Sequence, residues 1–415
     1  MRASNVGLCP RSVVGCDDLR SAVRLSQGVA YYSYDVARRD ASAPRATARD
    51  PRPPVRPLPS PLSHVVTTDA CRIPDAADPR LDAMRAWLGT IAARHAIDVA
   101  SVEPASADAS FRRYFRVRAG DGTAIVMDAP PDREDSHAFV RIAGLMADAG
   151  VSVPRVLEAD LAQGFLLLSD LGNTTYLSVL DPADPRRAWP LMSDAIDALI
   201  AWQCASRADA LPPYDEALLR RELALYPDWY VARHLGIALD AGQRKTLDSA
   251  FDAIVANNLA ESRVFVHRDF MPRNLMVGPS GRNPGVLDFQ DAVHGPISYD
   301  IACLFKDAFL SWDEEFVLDG TVRYWERARK ARLAVPDDFG AFYRDVEWMG
   351  LQRHLKVLGI FARINYRDGK PHYLADTPRF LGYVRATVNR YRALGPLGKL
   401  IDELEGRPIE VAYTF

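Results

Sequence analysis

The sequence is poor in cysteine and has no excess of charge of either sign. Its five cysteines are far apart and never spaced as C-x-x-C: Cys9, Cys16, Cys71, Cys204 and Cys303. This spacing argues against disulfides and against a structural zinc site, and it fits a reducing cytoplasm. With 51 Lys and Arg against 54 Asp and Glu, the formal net charge is −3, whereas binding to nucleic acid or a membrane surface calls for a basic excess.

Zinc-protease spacing and long apolar runs are missing too. None of the eight histidines forms an H-E-x-x-H pair. No stretch of about 18 apolar residues occurs that would span a bilayer, and the first residues lack the apolar region of a signal peptide. We therefore predict a soluble, cytoplasmic protein that binds neither nucleic acid nor a membrane and shows no sign of an obligate protein partner.

Proline, by contrast, is concentrated near the N-terminus. The segment from Pro44 to Pro61, PRATARDPRPPVRPLPSP, mixes seven prolines with four arginines and has no apolar period of a helix or a strand. Such a segment cannot bury enough apolar surface to offset the entropy lost on ordering. Residues 1–77 are accordingly predicted to be a disordered Pro/Arg-rich extension.

The remaining chain divides by pattern into two lobes of an α+β fold. Asp78 is a helix N-cap candidate, and later β-leaning runs at 111–117 and 123–127 flank a D-G turn. A helix from Ser136 and a buried strand at 164–168 complete a small antiparallel-sheet lobe over residues 78–170. Residues 171–415 are predicted to form a larger helical lobe that holds the catalytic loop and the acceptor site.

This second lobe is predicted to be rich in long helices with a few short strands. The helices are expected near 186–206, 215–235, 241–260, 297–310, 313–333, 337–366 and 377–392. The strands are expected at Val264–Val266, Leu275–Val277 and Gly285–Leu287.

Two short motifs carry the chemistry. After the first strand comes HRDFMPRN, with His267, Arg268, Asp269 and Asn274 as H-R-D-x-x-x-x-N, and Asp288 lies fourteen residues further on. Phosphoryl transfer from ATP needs a carboxylate that orients the attacking hydroxyl and oxygen ligands that hold Mg²⁺ on the phosphates. We assign the first role to Asp269, with His267 and Arg268 in its catalytic loop, and the second to Asn274 and Asp288. ATP and Mg²⁺ are the predicted cofactors.

From about residue 81 the chain resembles the aminoglycoside phosphotransferase and choline kinase superfamily, whose fold is bilobal and protein-kinase-like. Within it, the likeness is closest to the bacterial anomeric kinases that phosphorylate N-acetylmuramate and N-acetylglucosamine in cell-wall recycling. The resembling stretches are DASFRRYFRV (108–117), MDAPPDRED (127–135), GFLLLSDLG (164–172), YPDWYVARHLG (226–236) and GLQRHLKVLGIFARINYRDGK (350–370).

The segment after Asp288 indicates a small acceptor. The chain reads FQDAVHGPISYDIACLF and enters a helix within about ten residues, without the long phosphorylatable segment and the A-P-E of a protein kinase. Asp300, near the start of that helix, resembles the family's aspartate that braces the catalytic loop. A helix-start carboxylate favoured by the macrodipole is an equally compatible interpretation.

The nucleotide site departs from the kinase pattern. There is no G-x-G-x-x-G; residues 106–110 replace the phosphate-covering loop, with Ala109, Ser110, Phe111, Arg112 and Arg113 as predicted nucleotide contacts. Met127 stands where a kinase strand carries its phosphate-pairing lysine, and Arg112, Arg113 and Arg116 are the candidates for the missing charge. Ser169, Asp170 and Leu171 fall in the connector whose backbone would bind the adenine edge.

Acceptor contacts are the least specific part of the site. The resemblance blocks offer Asp228, Trp229, Arg353 and His354, and Asp291 and His294 follow the metal aspartate. A basic cluster of Arg353, His354 and Lys356 would suit the lactyl carboxylate of N-acetylmuramate. Trp229 and His354 also fit core packing.

The main hypothesis is an ATP-dependent kinase that converts N-acetylmuramate and N-acetylglucosamine to their 1-phosphates. An aminoglycoside or other small-alcohol phosphotransferase is the first alternative, although a polycationic acceptor suits an acidic site better than a basic one. A pseudokinase that serves as a binding module is the second; Met127 motivates it, while Asp269, Asn274 and Asp288 oppose it.

Overall fold

The computed structural model describes residues 78–107, 111–278 and 283–406. The predicted extension, residues 1–77, lies outside this part. The first element is helix α1 (Pro79–His95), where the Asp78 side chain accepts hydrogen bonds from the backbone N–H groups of Arg80 and Leu81. This cap satisfies two of the donors that a helix N-terminus leaves unpaired, as predicted from the Asp-Pro start.

A five-stranded antiparallel sheet follows, in the order β1-β2-β3-β5-β4. Its strands are β1 (Ile97–Ala107), β2 (Arg113–Ala119), β3 (Gly122–Asp128), β4 (Val156–Asp160) and β5 (Phe165–Ser169). Helix α2 (Ser136–Asp148) lies between β3 and β4 in the chain. The predicted antiparallel sheet is confirmed, but β1 and β4 were not predicted. Both are edge strands with an interrupted register, so neither has the regular alternation of a central strand.

Because side chains alternate along each strand, the sheet has two apolar faces. Phe115, Val117 and Val126 pack with α1 on one face, whereas Met127 and Leu166 on the other face join the α2 side and the helical part. Because successive strand residues point to opposite faces, neighbouring residues of one strand serve different parts of the protein.

The rest of the chain is mainly helical. Its α-helices are α3 (Tyr176–Val179), α4 (Pro185–Cys204), α5 (Glu216–Leu225), α6 (Ala241–Ala260), α7 (Tyr299–Phe305), α8 (Glu314–Lys330), α9 (Phe339–Asp368), α10 (Thr377–Arg390) and α11 (Gly395–Leu404). A π-helix covers Tyr226–Leu235, and 3₁₀ turns cover Pro272–Asn274, Pro371–Asp376 and Arg392–Leu394.

Two helix predictions need correction, and the last helix of the described residues was missed. The predicted helix 215–235 is α5 followed by the π-helix, because Pro227 has no N–H to continue the α-helical pattern. The predicted helix 297–310 is only α7; the apolar period continues past its end, but tertiary packing uses those residues in an irregular segment. Helix α11 was not predicted, although Leu397, Leu400, Ile401 and Leu404 form a buried helical stripe.

Two short two-stranded antiparallel sheets bring the sequence motifs side by side. Strand β6 (Arg263–Val266) pairs with β9 (Val293–Pro296), and β7 (Leu275–Met276) pairs with β8 (Gly285–Val286). The three predicted strands here are confirmed to within a residue, whereas β9, with its glycine and proline, was not predicted. The H-R-D loop therefore lies between β6 and β7, and Asp288 follows β8.

The sheet and the helical part share one apolar core. The Phe139 ring of α2 packs 4.8 Å from the ring of Phe289, and the backbone of Val286 donates to Ser152 O at 2.7 Å. A single buried cluster includes residues on both sides of position 170, so a domain boundary there stays a prediction. Within the described residues, no helix is both long and apolar enough to cross a bilayer.

Candidate active site

Asp300 of α7 holds the backbone of the H-R-D loop. Its two carboxylate oxygens accept hydrogen bonds from the backbone N–H groups of His267, at 2.7 Å, and Arg268, at 3.0 Å. Burial raises the pKa of Asp300 to about 7 even though these hydrogen bonds oppose the shift. Arg268 needs such support because its φ is 76°, in the left-handed region that a non-glycine residue enters at a cost of roughly 1–3 kcal/mol.

His267 connects this loop to the second motif. Its Nδ1 accepts from the backbone N–H of Asp269 at 3.2 Å, and its Nε2 lies 3.0 Å from Leu287 O. The ring is fully buried, and this burial lowers its pKa to about 4. A neutral imidazole with its proton on Nε2 satisfies both contacts. We infer that His267 is neutral and holds the backbone of Asp269 and of Leu287, which precedes Asp288.

The three residues with predicted catalytic and metal roles meet at one point. The Asn274 Nδ2 donates to Asp269 O at 3.0 Å and lies 3.4 Å from Asp288 Oδ2. Asp288 also has a positive φ, 62°, and its Oδ1 accepts from Gln290 Nε2 at 2.7 Å. The hydrogen bonds that hold Asp269 run through its backbone. Its side chain is half-buried, and the contact of Asn274 with its backbone places Asp269 next to the Asn274–Asp288 pair.

The donor set at this point suits Mg²⁺. Asn274 and Asp288 carry the hard amide and carboxylate oxygens that Mg²⁺ binds, together with phosphate oxygens, in phosphotransfer sites. Among the described residues, no cluster of three or more His, Cys, Asp and Glu side chains forms a complete metal cage.

Arg268 and Lys356 converge on one buried carboxylate. Glu222 of α5 accepts from Arg268 Nη2 at 2.5 Å, from Lys356 Nζ at 2.8 Å and from the Tyr214 hydroxyl. Burial on its own would raise the pKa of Glu222, but the charges of Lys356 and Arg268 hold it below its usual value. The cluster ties the H-R-D arginine to α5 and α9.

Sequence reasoning missed Glu222, although it left a signal. It lies between Leu219 and Leu223 on the stripe that α5 buries. A carboxylate in an apolar stripe is seldom buried without a partner, so this position would have indicated a cationic contact. Which cations pair with Glu222 could not be predicted from the sequence, because Arg268 and Lys356 are 46 and 134 residues away in the chain.

The predicted connector is fixed to the sheet by an ion pair. The Asp170 carboxylate accepts from Arg116 Nε at 2.6 Å, Thr123 Oγ1 at 2.7 Å and the backbone of Gly172 at 2.8 Å. Gly172 has φ 92°, which suits glycine in this turn. The Ser169 Oγ accepts from Arg155 N at 2.9 Å. The side chains of Ser169 and Asp170 are therefore used within the protein, which leaves the backbone role predicted for the connector.

Leu171 links the connector to the second motif. A Cβ on Gly285 would lie 2.9 Å from Leu171 Cδ1 and 3.3 Å from Met276 Cβ, so a larger residue here would have to displace the Leu171 side chain. Asp288 follows three residues later. The adenine-binding and metal-binding segments predicted from the sequence are thus in direct packing contact.

The three arginines near the start of β2 pair with four carboxylates. Arg113 pairs with Asp78 and Asp128 on the α1 side, and Arg116 pairs with Asp170. Arg112 forms a 2.7 Å ion pair with Glu134. Ala109 and Ser110 lie outside the described residues, and the ring of Phe111 is largely exposed.

The acceptor candidates are dispersed. Asp228 and Asp291 are exposed, and Trp229 is half-buried against the main core. His294 is half-buried on β9, where its backbone pairs with Phe265 and its O accepts from Tyr214 N at 2.9 Å. Asp291 lies nearest the motif, since its O is 3.5 Å from Arg268 Nη1.

The structure does not bring Arg353, His354 and Lys356 together as one basic surface. Consecutive helical residues point about 100° apart. Arg353 is buried against the catalytic loop, with Nη2 3.8 Å from Met271 Sδ. His354 points into the core, where its ring stacks on Tyr383 and burial holds its pKa well below the usual value. Packing accounts for His354, and of the three only Arg353 contacts the H-R-D loop.

Comparison with known proteins adds a family and close relatives. The model of a family described as "Phosphotransferase enzyme family" matches residues 101–335. A Pseudomonas aeruginosa protein named N-acetylmuramate/N-acetylglucosamine kinase is 55% identical over 305 residues, which are 74% of this chain and 89% of that protein. A Neisseria meningitidis protein of the same name is 48% identical over 80% of this chain and 98% of its own length.

Solved structures show the same fold at low sequence identity. A choline kinase from Cryptosporidium parvum superposes with a TM-score of 0.52 at 12% identity, covering 76% of this chain and 99% of that chain. A choline/ethanolamine kinase family protein from Mesorhizobium loti gives a TM-score of 0.51 at 16% identity, over 77% of this chain and 99% of that chain. The kinase-like fold class expected from the sequence is thereby confirmed.

Proposed function

Since the chain belongs to the phosphotransferase enzyme family, we propose that it transfers the γ-phosphoryl group of ATP to the anomeric hydroxyl of N-acetylmuramate and N-acetylglucosamine. The products would be the sugar 1-phosphates, and the reaction belongs in the cytoplasm, where ATP is available. The observation that carries the phosphotransfer role is the convergence of Asp269, Asn274 and Asp288, with 3.4 Å between the last two side chains. The sugar is inferred from relatives 48–55% identical over most of the chain.

In this proposal, catalysis comes mainly from alignment. Asp269 accepts a hydrogen bond from the acceptor hydroxyl and aims its oxygen at the γ-phosphorus. It takes the hydroxyl proton as the new oxygen–phosphorus bond forms and the bond from the γ-phosphorus to the bridging oxygen breaks, so that ADP leaves. Asp300 keeps the loop backbone in its unusual conformation, and Glu222 fixes Arg268 beside it. The backbone of residues 169–171 would bind the adenine edge.

Asn274 and Asp288 are the residues that would hold Mg²⁺. When bound, the ion neutralises negative charge on the phosphate oxygens, which lowers the cost of bringing the hydroxyl oxygen to them. The buried neighbours Phe289 and Gln290 fix the direction of Asp288.

The decisive experiment incubates the full chain with Mg²⁺ and ATP, and with N-acetylmuramate, N-acetylglucosamine or an aminoglycoside. We expect ADP release with the two amino sugars, matched by an equal loss of reducing ends, because phosphorylation at the anomeric oxygen blocks ring opening. ADP release without loss of reducing ends would exclude the anomeric hydroxyl. Nucleotide binding with no turnover of any acceptor would favour the pseudokinase.

Substitution of Asp269 tests the assigned base. In Asp269→Asn, kcat should fall by at least about 100-fold, since general-base catalysis contributes about that much or more, while ADP affinity stays near that of the wild type. The matched control is Asp252→Asn, which removes an exposed carboxylate paired with Arg220 on the surface. Near-native turnover of Asp269→Asn would remove Asp269 from the mechanism.

A further inference from the structure

The described residues contain neither member of the lysine–glutamate pair that protein kinases use to hold ATP phosphates. That pair joins a lysine on β3 to a glutamate on the following helix. Here β3 reads GTAIVMD, and Met127, at the lysine position, is completely buried in the apolar core. The only acidic residue of α2 is Asp148, at its C-terminal end. A cation for the phosphates has to come from elsewhere.

The arginines of β2 differ in the face they occupy. Arg113 lies on the face that packs with α1, where it is shared by Asp78 and Asp128. Arg116 lies on the other face, but it is committed to Asp170 at the connector end. Arg112 precedes β2 on the same face as Tyr114, whose register partner is Met127. Of the three, Arg112 is nearest in sequence to the loop predicted to cover the phosphates.

Arg112 is held by a carboxylate in a suitable place. Its Nη2 lies 2.7 Å from Glu134 Oε2, and the two side chains are only 8% and 12% exposed. Glu134 Oε1 also accepts from the backbone N–H of Phe111 at 3.1 Å. One carboxylate thus fixes both the arginine and the backbone that leads out of the phosphate loop.

The pair also connects to the metal motif. Glu134 directly precedes Asp135, the N-cap of α2. One turn into α2, Phe139 packs on Phe289, the residue after Asp288. The ion pair therefore joins the sheet to the helix that touches the metal motif, as the lysine–glutamate pair does in protein kinases.

We propose that Arg112, positioned by Glu134, binds the β- and γ-phosphates of ATP in place of the absent lysine. A guanidinium carries five N–H donors in a planar fork, so it can bridge a carboxylate and a phosphate. Glu134 acts through Arg112 and is a positioning residue. This inference rests on the proposed function only in requiring that the chain binds ATP.

The test is calorimetric titration of the full chain with ADP and with adenosine, with no acceptor present. In Arg112→Ala, ADP affinity should fall about 10- to 100-fold, the range for a lost charge-assisted hydrogen bond, while adenosine affinity changes less than about twofold. Arg112→Lys should lie between the two, because it keeps the charge but not the fork. Glu134→Gln should raise the KM for ATP more than it lowers kcat. Arg118→Ala, an exposed β2 arginine paired with Asp98, is the matched control and should match the wild type.

Unchanged ADP affinity in Arg112→Ala would overturn the proposal. Equal losses of ADP and adenosine affinity would also overturn it, because they would assign Arg112 to the stability of the sheet. Wild-type protein that binds ADP but phosphorylates no sugar would overturn the proposed function alone and leave this inference standing.

Discussion

In the helical part of the protein the buried carboxylate of Glu222 serves two cations, whereas at the connector end of the sheet Asp170 pairs with Arg116. Glu222 is 4% exposed and holds both Arg268 and Lys356. The other partners of Asp170 are the neutral Thr123 hydroxyl and the backbone N–H of Gly172. Loss of one group from the Glu222 cluster leaves the others uncompensated in a low-dielectric site, while loss of Arg116 leaves Asp170 these two contacts. The difference suggests that the Glu222 cluster beside the catalytic loop is more strongly coupled than the ion pair at the connector.

The largest expected effect comes from breaking the shared cluster. Glu222→Gln removes the charge but keeps the shape, which leaves Arg268 and Lys356 buried without compensation. We expect a loss of about 3–5 kcal/mol in the free energy of unfolding, measured by urea denaturation. The control Glu216→Gln, an exposed residue of the same helix paired with Arg220, should cost less than about 1 kcal/mol. Similar costs for both variants would remove the contrast between shared and separate pairs.

A smaller effect concerns the pH dependence of the catalytic-loop region. Because burial lowers the pKa of His267 from 6.5 to about 4, the unfolded chain takes up a proton between these values that the folded chain does not. Stability therefore falls as the pH falls through this window, by about 3 kcal/mol from His267. Asp300 acts in the opposite direction, since burial raises its pKa from 3.8 to about 7, so its contribution is lost as the pH rises through 7.

Substitution of His267 isolates its contribution to the pH dependence of stability. The free energy of unfolding of His267→Asn should be lower at neutral pH, but its decrease between pH 6.5 and 4 should be shallower than that of the wild type. Denaturation curves at half-unit pH steps measure the two slopes. Parallel slopes would contradict a neutral, buried His267.

The smallest effect is expected on the sheet. Arg116→Ala frees Asp170, which keeps its contacts to Thr123 and Gly172. The free energy of unfolding should fall by only about 1 kcal/mol, and the KM for ATP should rise a few-fold because the connector backbone becomes less ordered. Arg118→Ala should change neither quantity measurably. If Arg116→Ala cost as much as Glu222→Gln, the sheet would be as cooperative as the helical part.

Much of the site could be predicted because its residues are close in the chain. His267, Asp269 and Asn274 lie within eight positions, and short apolar strands on either side marked the loop. The carboxylate partners of the arginines could not be predicted. Asp170 lies 54 residues from Arg116, and several aspartates of the sheet fit equally well by composition. Only the register of the strands and the position of α1 select among them.

The sequence by itself determined the reaction type and the division into an antiparallel sheet and a helical part, because motif spacing and apolar periodicity are local properties of the chain; the metal-binding roles of Asn274 and Asp288 stay predictions. The tertiary structure decided where each charge is compensated. It turned His354 into the core, committed Arg116 to the connector, placed Glu222 between two cations and put Arg112 beside Glu134. The physical reason is that an ion pair depends on distance and burial in three dimensions, which the spacing of residues along the chain does not specify.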